Sequence, residues 1–124
     1  NADVEASNAN VDVSNVLLSK INISNSKGFG TVNTDFFAVY EDEPTLETLQ
    51  NAFTNAVMVA GMVDMMEPEY DLEFINTDGT KQAYHLWIGE RERDTKSTIM
   101  KVEDTHFIYT ISEEATNLLL DMVN

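Results

Sequence analysis

The stretch YDLEFINTDGTKQAYHLWIG, residues 70–89, decides the fold because its turn chemistry fixes a strand register. Asn76-Thr77-Asp78-Gly79 suits a type I turn followed by a glycine bulge. Asn and Asp bond their own backbone at a turn, and Gly accepts the positive φ needed at the last loop position. That closes a three-residue hairpin loop and pairs Asn76 with Thr80. Counting outward sets Phe74 across from Gln82, Leu72 across from Tyr84 and Tyr70 across from Leu86, which with Ile88 make one apolar face. The period of two sends Ile75 with Lys81, Glu73 with Ala83, Asp71 with His85, and beyond them Trp87, to the other face. A histidine, an aspartate and the only tryptophan therefore share the more polar side.

A second hairpin is expected after the charged loop ERERDTKS. With Asp104-Thr105 at its tip, Val102 faces Phe107, Met100 faces Tyr109 and Thr98 faces Ile111 on the core side. The outer side then carries Glu103 with His106, Lys101 with Ile108, and Ile99 with Thr110. The closing run SEEATNLLLDMV reads as a helix: Ser112 caps it, Glu113 and Glu114 suit its first turn, and Ala115, Leu118, Leu119, Met122 and Val123 form a stripe. Upstream, VLLSKINI over 16–23 reads as a strand and SNSKGFG as a loop. Gly28-Phe29-Gly30 is a turn there, since no strand-loop-helix context or following lysine makes it a phosphate cradle. DFFAVY over 35–40 reads as a second strand. In EDEPTLETLQNAFTNAVMVAG, acids and Pro44 mark a helix entrance, and Leu46, Leu49, Phe53, Ala56, Val57 and Ala60 recur at helical spacing until Gly61 ends it. The order β-β-α-β-β-β-β-α predicts an α+β fold, a mostly antiparallel sheet of about six strands with two helices packed on one face.

At 124 residues and 43% hydrophobic, the chain fits a single domain over 16–124. The lead NADVEASNANVDVSN, residues 1–15, has little to bury and reads as a tether or disordered segment, with Asn1-Ala2 suiting a tag scar. The chain begins without an initiator methionine, so an upstream piece is expected. Twenty-two Asp and Glu against seven Lys and Arg give a formal net charge of -15. This argues against nucleic acid and against anionic lipid, both of which select basic patches, and favours cationic partners. With no cysteine, disulfides, thiolate metal sites and a cysteine nucleophile are excluded. No apolar run approaches the roughly 18 to 20 residues that span a bilayer.

PEYDLEFINTDGTKQAYHLWIGE, STIM and EDTHFIYTISEEATNLLLDMV together resemble the YhfM-like domain of small lipoproteins of Bacillus-type bacteria. Pro68 and Tyr70, Asp78-Gly79, His85-Leu86-Trp87 with Gly89, Thr105, Tyr109 and the terminal helix carry the resemblance. It implies an export signal and a lipid-modified cysteine upstream, hence a domain anchored outside the cytoplasmic membrane. It brings no activity, ligand or catalytic residue with it.

Four of the six methionines, Met58, Met62, Met65 and Met66, lie close together and invite a soft-metal reading. Helical phase disperses them, since Met58 would project with Asn51 and Asn55, and methionine is a usual gap-filler. The outer sheet face is the stronger candidate. Trp87, His85, Asp71, Ile99 and Ile108 would form an apolar patch rimmed by polar groups, the pattern of a ligand or partner surface. The alternative is divalent-metal binding or sensing by His85, His106, Asp71 and Glu103, should the two hairpins bring them together. Catalysis finds less support: no G-x-S-x-G elbow is present, and carboxylate pairs such as Glu67 with Glu69 arise by chance among so many acids. The reading is a non-catalytic extracytoplasmic binding or interaction domain, requiring no cofactor, that uses the sheet face around Trp87.

Overall fold

The computed structural model describes residues 17–60, 65–89 and 92–123. The expected lead at 1–15, and Gly61 and Met62, lie outside the described residues. The elements run β1 (Leu18–Asn25), β2 (Ala38–Tyr40), α1 (Glu43–Thr54), β3 (Val57–Met58), β4 (Tyr70–Asn76), β5 (Lys81–Trp87), β6 (Ser97–Lys101), β7 (Asp104–Ile111) and α2 (Glu113–Val123). The strands form one sheet in the order β2-β1-β4-β5-β6-β7-β3, with every neighbouring pair antiparallel. The α+β architecture is therefore the expected one, with a two-residue edge strand, β3, added to the six.

The β4–β5 hairpin has the register its turn demands. Asp71 lies opposite His85, Leu72 opposite Tyr84 and Phe74 opposite Gln82. At the tip, Asn76 N–H donates to Thr80 O at 2.9 Å, and Gly79 holds φ at 89°. Asp78 accepts from the Thr80 hydroxyl and backbone N–H, bonds that hold its carboxyl below the usual carboxylate range.

One face of this sheet, called inner here, packs on both helices. Ile21, Ile23, Leu72, Phe74, Leu86, Ile99 and Ile111 from the sheet meet Leu46 and Leu49 of α1 and Ala115, Leu119, Leu120 and Met122 of α2. A bulge at Ser19 shifts the pairing of β1 with β4 between Leu18 and Lys20. The extra residue restores Leu18 to the core side, while the Ser19 hydroxyl donates to Ile75 O. Ser97 and Thr116, both buried, join their hydroxyls at 2.6 Å and so tie α2 to β6. Ser112 caps α2 as expected, its Oγ accepting from Ala115 N.

Two expectations are corrected. Helix α1 ends at Thr54 rather than at Gly61, with Asn55 N–H closing on Asn51 O. Val57 and Met58, predicted on the helix, leave it as an exposed edge strand on β7, as β-branched Val57 and Val59 favour. The β6–β7 register is also shifted by one. Ile99, not Met100, lies opposite Tyr109, and the tip is Val102-Glu103 between Lys101 and Asp104. An irregularity between Ile99 and Lys101 absorbs the extra β7 residues, leaving 105–107 exposed. The apolar residues of STIMKV fall on both parities, so alternation alone could not choose between them. No helix among the described residues is long and apolar enough to cross a membrane.

Candidate functional site

On the outer face, a row of residues crosses four strands and is polar on the first three. Ser24 of β1 lies opposite Asp71 of β4, which lies opposite His85 of β5, which lies opposite Met100 of β6. Ser24, Asp71 and His85 are all 0% exposed. Such burial is costly for polar groups unless each finds partners.

Asp71 and His85 find them in each other and in the chain that crosses above. His85 Nδ1 sits 2.7 Å from Asp71 Oδ1. The backbone N–H of Gly30 donates to His85 Nε2 at 3.1 Å, and that of Asn33 donates to Asp71 Oδ2 at 2.8 Å. Since Gly30 brings a proton to Nε2, that nitrogen carries the lone pair and Nδ1 carries the hydrogen donated to Asp71. Among the described residues no lysine or arginine pairs with Asp71, and its carboxylate accepts from the His85 ring and the Asn33 backbone N–H. Ser24 Oγ, beside it on β1, has no hydrogen-bond partner among the described residues.

The covering segment, residues 26–37, has no regular secondary structure. Gly28 at φ 131° and Gly30 at φ 87° let it turn down onto the sheet, a conformation side chains with a Cβ resist. Asn33 steadies it further: its Nδ2 donates to Asn25 O and its Oδ1 accepts from Asp35 N. Between the glycines, Phe29 sets its ring edge-on to His85, with centroids 5.9 Å apart, and tilts against Trp87 at 6.1 Å. We call this segment the strap.

Trp87 is 7% exposed and packs in a small second core with Met100, Ile108, Val59 and Met65. Its indole N–H donates to Met66 O at 2.9 Å. What reaches solvent above it is Phe29, 44% exposed, and Met66, 84% exposed.

The structure thus brings Trp87, His85, Asp71 and Ile108 together, but beneath a cover. Ile99 does not join them: the shifted register turns it into the helix-covered core. The metal set is also divided. His106 stands at the β6–β7 hairpin, its side chain 86% exposed and its Nδ1 3.7 Å from Asp104, with Glu103 exposed in the turn. Both nitrogens of His85 are engaged already, and among the described residues no three His, Asp or Glu converge as metal ligands.

Four contributors escaped the sequence reading: Ser24, Phe29, Gly30 and Asn33. The strap residues carried a signal, since a dozen irregular residues inside a small domain is longer than a connection needs. Two glycines flanking an aromatic marked where it would descend. Ser24 carried none, being one small polar residue at the end of an apolar strand.

A comparison with curated proteins gives no match. Among solved structures, a thioesterase-like protein from Clostridium sporogenes superposes with a TM-score of 0.63 at 18% identity, covering 87% of this chain and 94% of that one. At that identity the likeness is one of fold. The model of the YhfM protein family matches residues 17–124, which takes in the sheet, both helices and the strap. The chain belongs to the YhfM family.

Proposed function

We propose that this chain is a non-catalytic binding domain that works on the extracytoplasmic side of the membrane and meets its partner through the strap-covered face over Trp87. One observation carries the reading. The groups on that face best suited to chemistry, His85 and Asp71, are sealed at 0% exposure and spend their bonds on each other and on the strap, while Phe29, against His85, and Met66, whose carbonyl meets the Trp87 indole, are exposed. Exposed apolar side chains over a rigid aromatic base are what a contact surface needs. The family resemblance supports export and a lipid tether upstream, and the net charge of -15 favours a cationic partner over nucleic acid.

A photo-crosslinking side chain at position 66, in cells carrying the full-length protein, tests it. A discrete adduct that Phe29→Ser abolishes, and that is absent with the probe at Lys81, is expected. No adduct at 66, or the same adduct from both positions, would count against the face.

One observation favours a second reading, hydrolysis. Asp71 orients His85 with its lone pair at Nε2, the state of a general base. The thioesterase-like fold neighbour names thioesters as the substrates to try. With the strap closed the base reaches nothing but Gly30. Thioester turnover that disappears in His85→Gln would replace the binding reading.

A further inference from the structure

A buried carboxylate normally has a cationic partner, and Asp71 has none among the described residues. Its compensation is a neutral imidazole and one backbone N–H. Two N–H donors of the strap answer two acceptors of the sheet, Asp71 Oδ2 and His85 Nε2. A third polar atom on the same face, Ser24 Oγ, is fully buried and has no partner among the described residues. The strap therefore matches the floor in donor positions but not in charge, and it leaves one group unsatisfied.

We propose that the strap stands in for a ligand: the floor formed by Ser24, Asp71 and His85 is a site for an organic cation bearing N–H donors, a guanidinium or primary ammonium group. Such a group offers several donors to a set of acceptors and supplies the positive charge that the strap lacks. Ser24 Oγ can accept from it, and Trp87, two residues from His85 on the same face of β5, provides aromatic surface beside it, which cations favour. The acidic exterior would concentrate such a ligand near the site.

The strap is suited to leave. It is mostly exposed, has no ladder of its own, and turns on two positive-φ glycines, the features of a segment that opens at low free energy. Because only the open form binds, apparent affinity scales with the open fraction. A change that weakens the closed strap without touching the floor must therefore tighten binding. Gly30→Ala is that change: at φ 87° a Cβ is strained although no atom lies within 4 Å of it.

The proposal rests on the binding reading above and can fail without it. Trp87, the only tryptophan, reports on the site through its emission. Methylguanidinium, ethylammonium and tetramethylammonium are titrated at neutral pH into the unaltered chain and Gly30→Ala, below denaturing concentrations. The two N–H cations should give a saturable change, with half-saturation about tenfold lower in Gly30→Ala. Tetramethylammonium, which has charge but no N–H, should give none, and Asp71→Asn should abolish the response. Hydrogen exchange on the unaltered chain decides the matter even should Asp71→Asn not fold: bound methylguanidinium should speed exchange at the Gly30 and Asn33 amides and leave β4 protected. A blocked Gly-Arg-Gly peptide that binds more tightly than methylguanidinium would assign the cation to a partner's side chain, and the reverse to a free small molecule. No saturable response in Gly30→Ala, an equal response to tetramethylammonium, or unchanged exchange at Gly30 and Asn33 would each overturn the site. An adduct at position 66 together with any of these would leave the contact face standing and remove only the cation.

Discussion

Between the inner face of the sheet and its two helices, Leu49, Leu72, Leu86 and Leu119 are fully buried, whereas on the outer face Ser24, Asp71 and His85 are fully buried by a segment without regular structure. The inner cover adheres through apolar area, which is non-directional and spread over many side chains. The outer cover adheres through a few directed bonds, chiefly Gly30 to His85 and Asn33 to Asp71, with one aromatic ring between. Equal burial thus hides unequal strength. A cover made of many small contacts is lost only with the fold, while one made of a few directed bonds can be exchanged for another donor. The difference teaches where stability resides and where binding can occur.

Removing a fully buried leucine from the inner face should break the molecule hardest. Leu119→Ala leaves a cavity between α2 and the sheet and should lower unfolding free energy by about 2 to 5 kcal/mol, read as a shift of the urea midpoint at unchanged slope. On the outer face, Asp71→Ala orphans His85 Nδ1–H and the Asn33 N–H. The loss should be about 1 to 3 kcal/mol, because a strap that lifts returns these donors to water. Trp87 emission should then shift to the red in the native baseline. A loss as large as that of Leu119→Ala, without the shift, would show the outer cover to be as integral as the inner one.

Two glycines sharpen the contrast. Gly79 at φ 89° closes the β4–β5 hairpin, and Gly30 at φ 87° lies in the strap. The strain of adding a Cβ is alike at both, about 1 to 2 kcal/mol, since neither meets a neighbouring atom. Gly79→Ala should lower global stability by that amount. Gly30→Ala should lower the urea midpoint by no more than that amount, because opening the strap relieves the strain, and should speed amide exchange at Asn33 while β4 stays protected. Exchange that quickens equally in β4 would mean that strap and sheet open together.

How much of this was legible in the sequence depended on whether one face or two had to be covered. The β4–β5 hairpin could be read because Asn76-Thr77-Asp78-Gly79 fixes the turn independently of hydrophobic pattern. That register placed Asp71 beside His85, and Trp87 on the same face. The β6–β7 hairpin offered only alternation, and Ile99, Met100 and Val102 are apolar on both parities because Ile99 goes under the helices and Met100 under the second core. The misplaced Ile99 and the metal set with His106 both follow from that ambiguity. The end of α1 was obscured likewise, as Val57 and Met58 continue an apolar stripe while the backbone has already left the helix. The strap was legible only as a loop. A backbone N–H aimed at a side chain from a distant strand leaves no pattern in composition or period.

The inner face also holds a group whose titration measures how dry that face is. Tyr84 packs against both Phe53 and Phe74, with ring centroids at 4.8 and 5.3 Å. Burial first, and then the negative charges of Glu103 and of ionised Tyr109, together push its phenol up from 10.0 to about 12. The neutral phenol is thus the form the fold prefers. A group whose pKa is raised on folding contributes stability that is complete below its unfolded value and is lost as pH climbs through its folded one. Nothing should change up to about pH 9, and stability should then decline across the window from 10 to about 12. Tyr84→Phe should remove that part of the decline and leave neutral-pH stability nearly unaltered, since among the described residues the Tyr84 hydroxyl makes no hydrogen bond. An ultraviolet titration that follows tyrosinate formation should show one late-ionising phenol missing in the variant. If Tyr84 instead ionised near 10, water would already reach the inner face at the β5 edge of the aromatic cluster, and the contrast between a dry inner cover and an exchangeable outer one would narrow to the leucines alone.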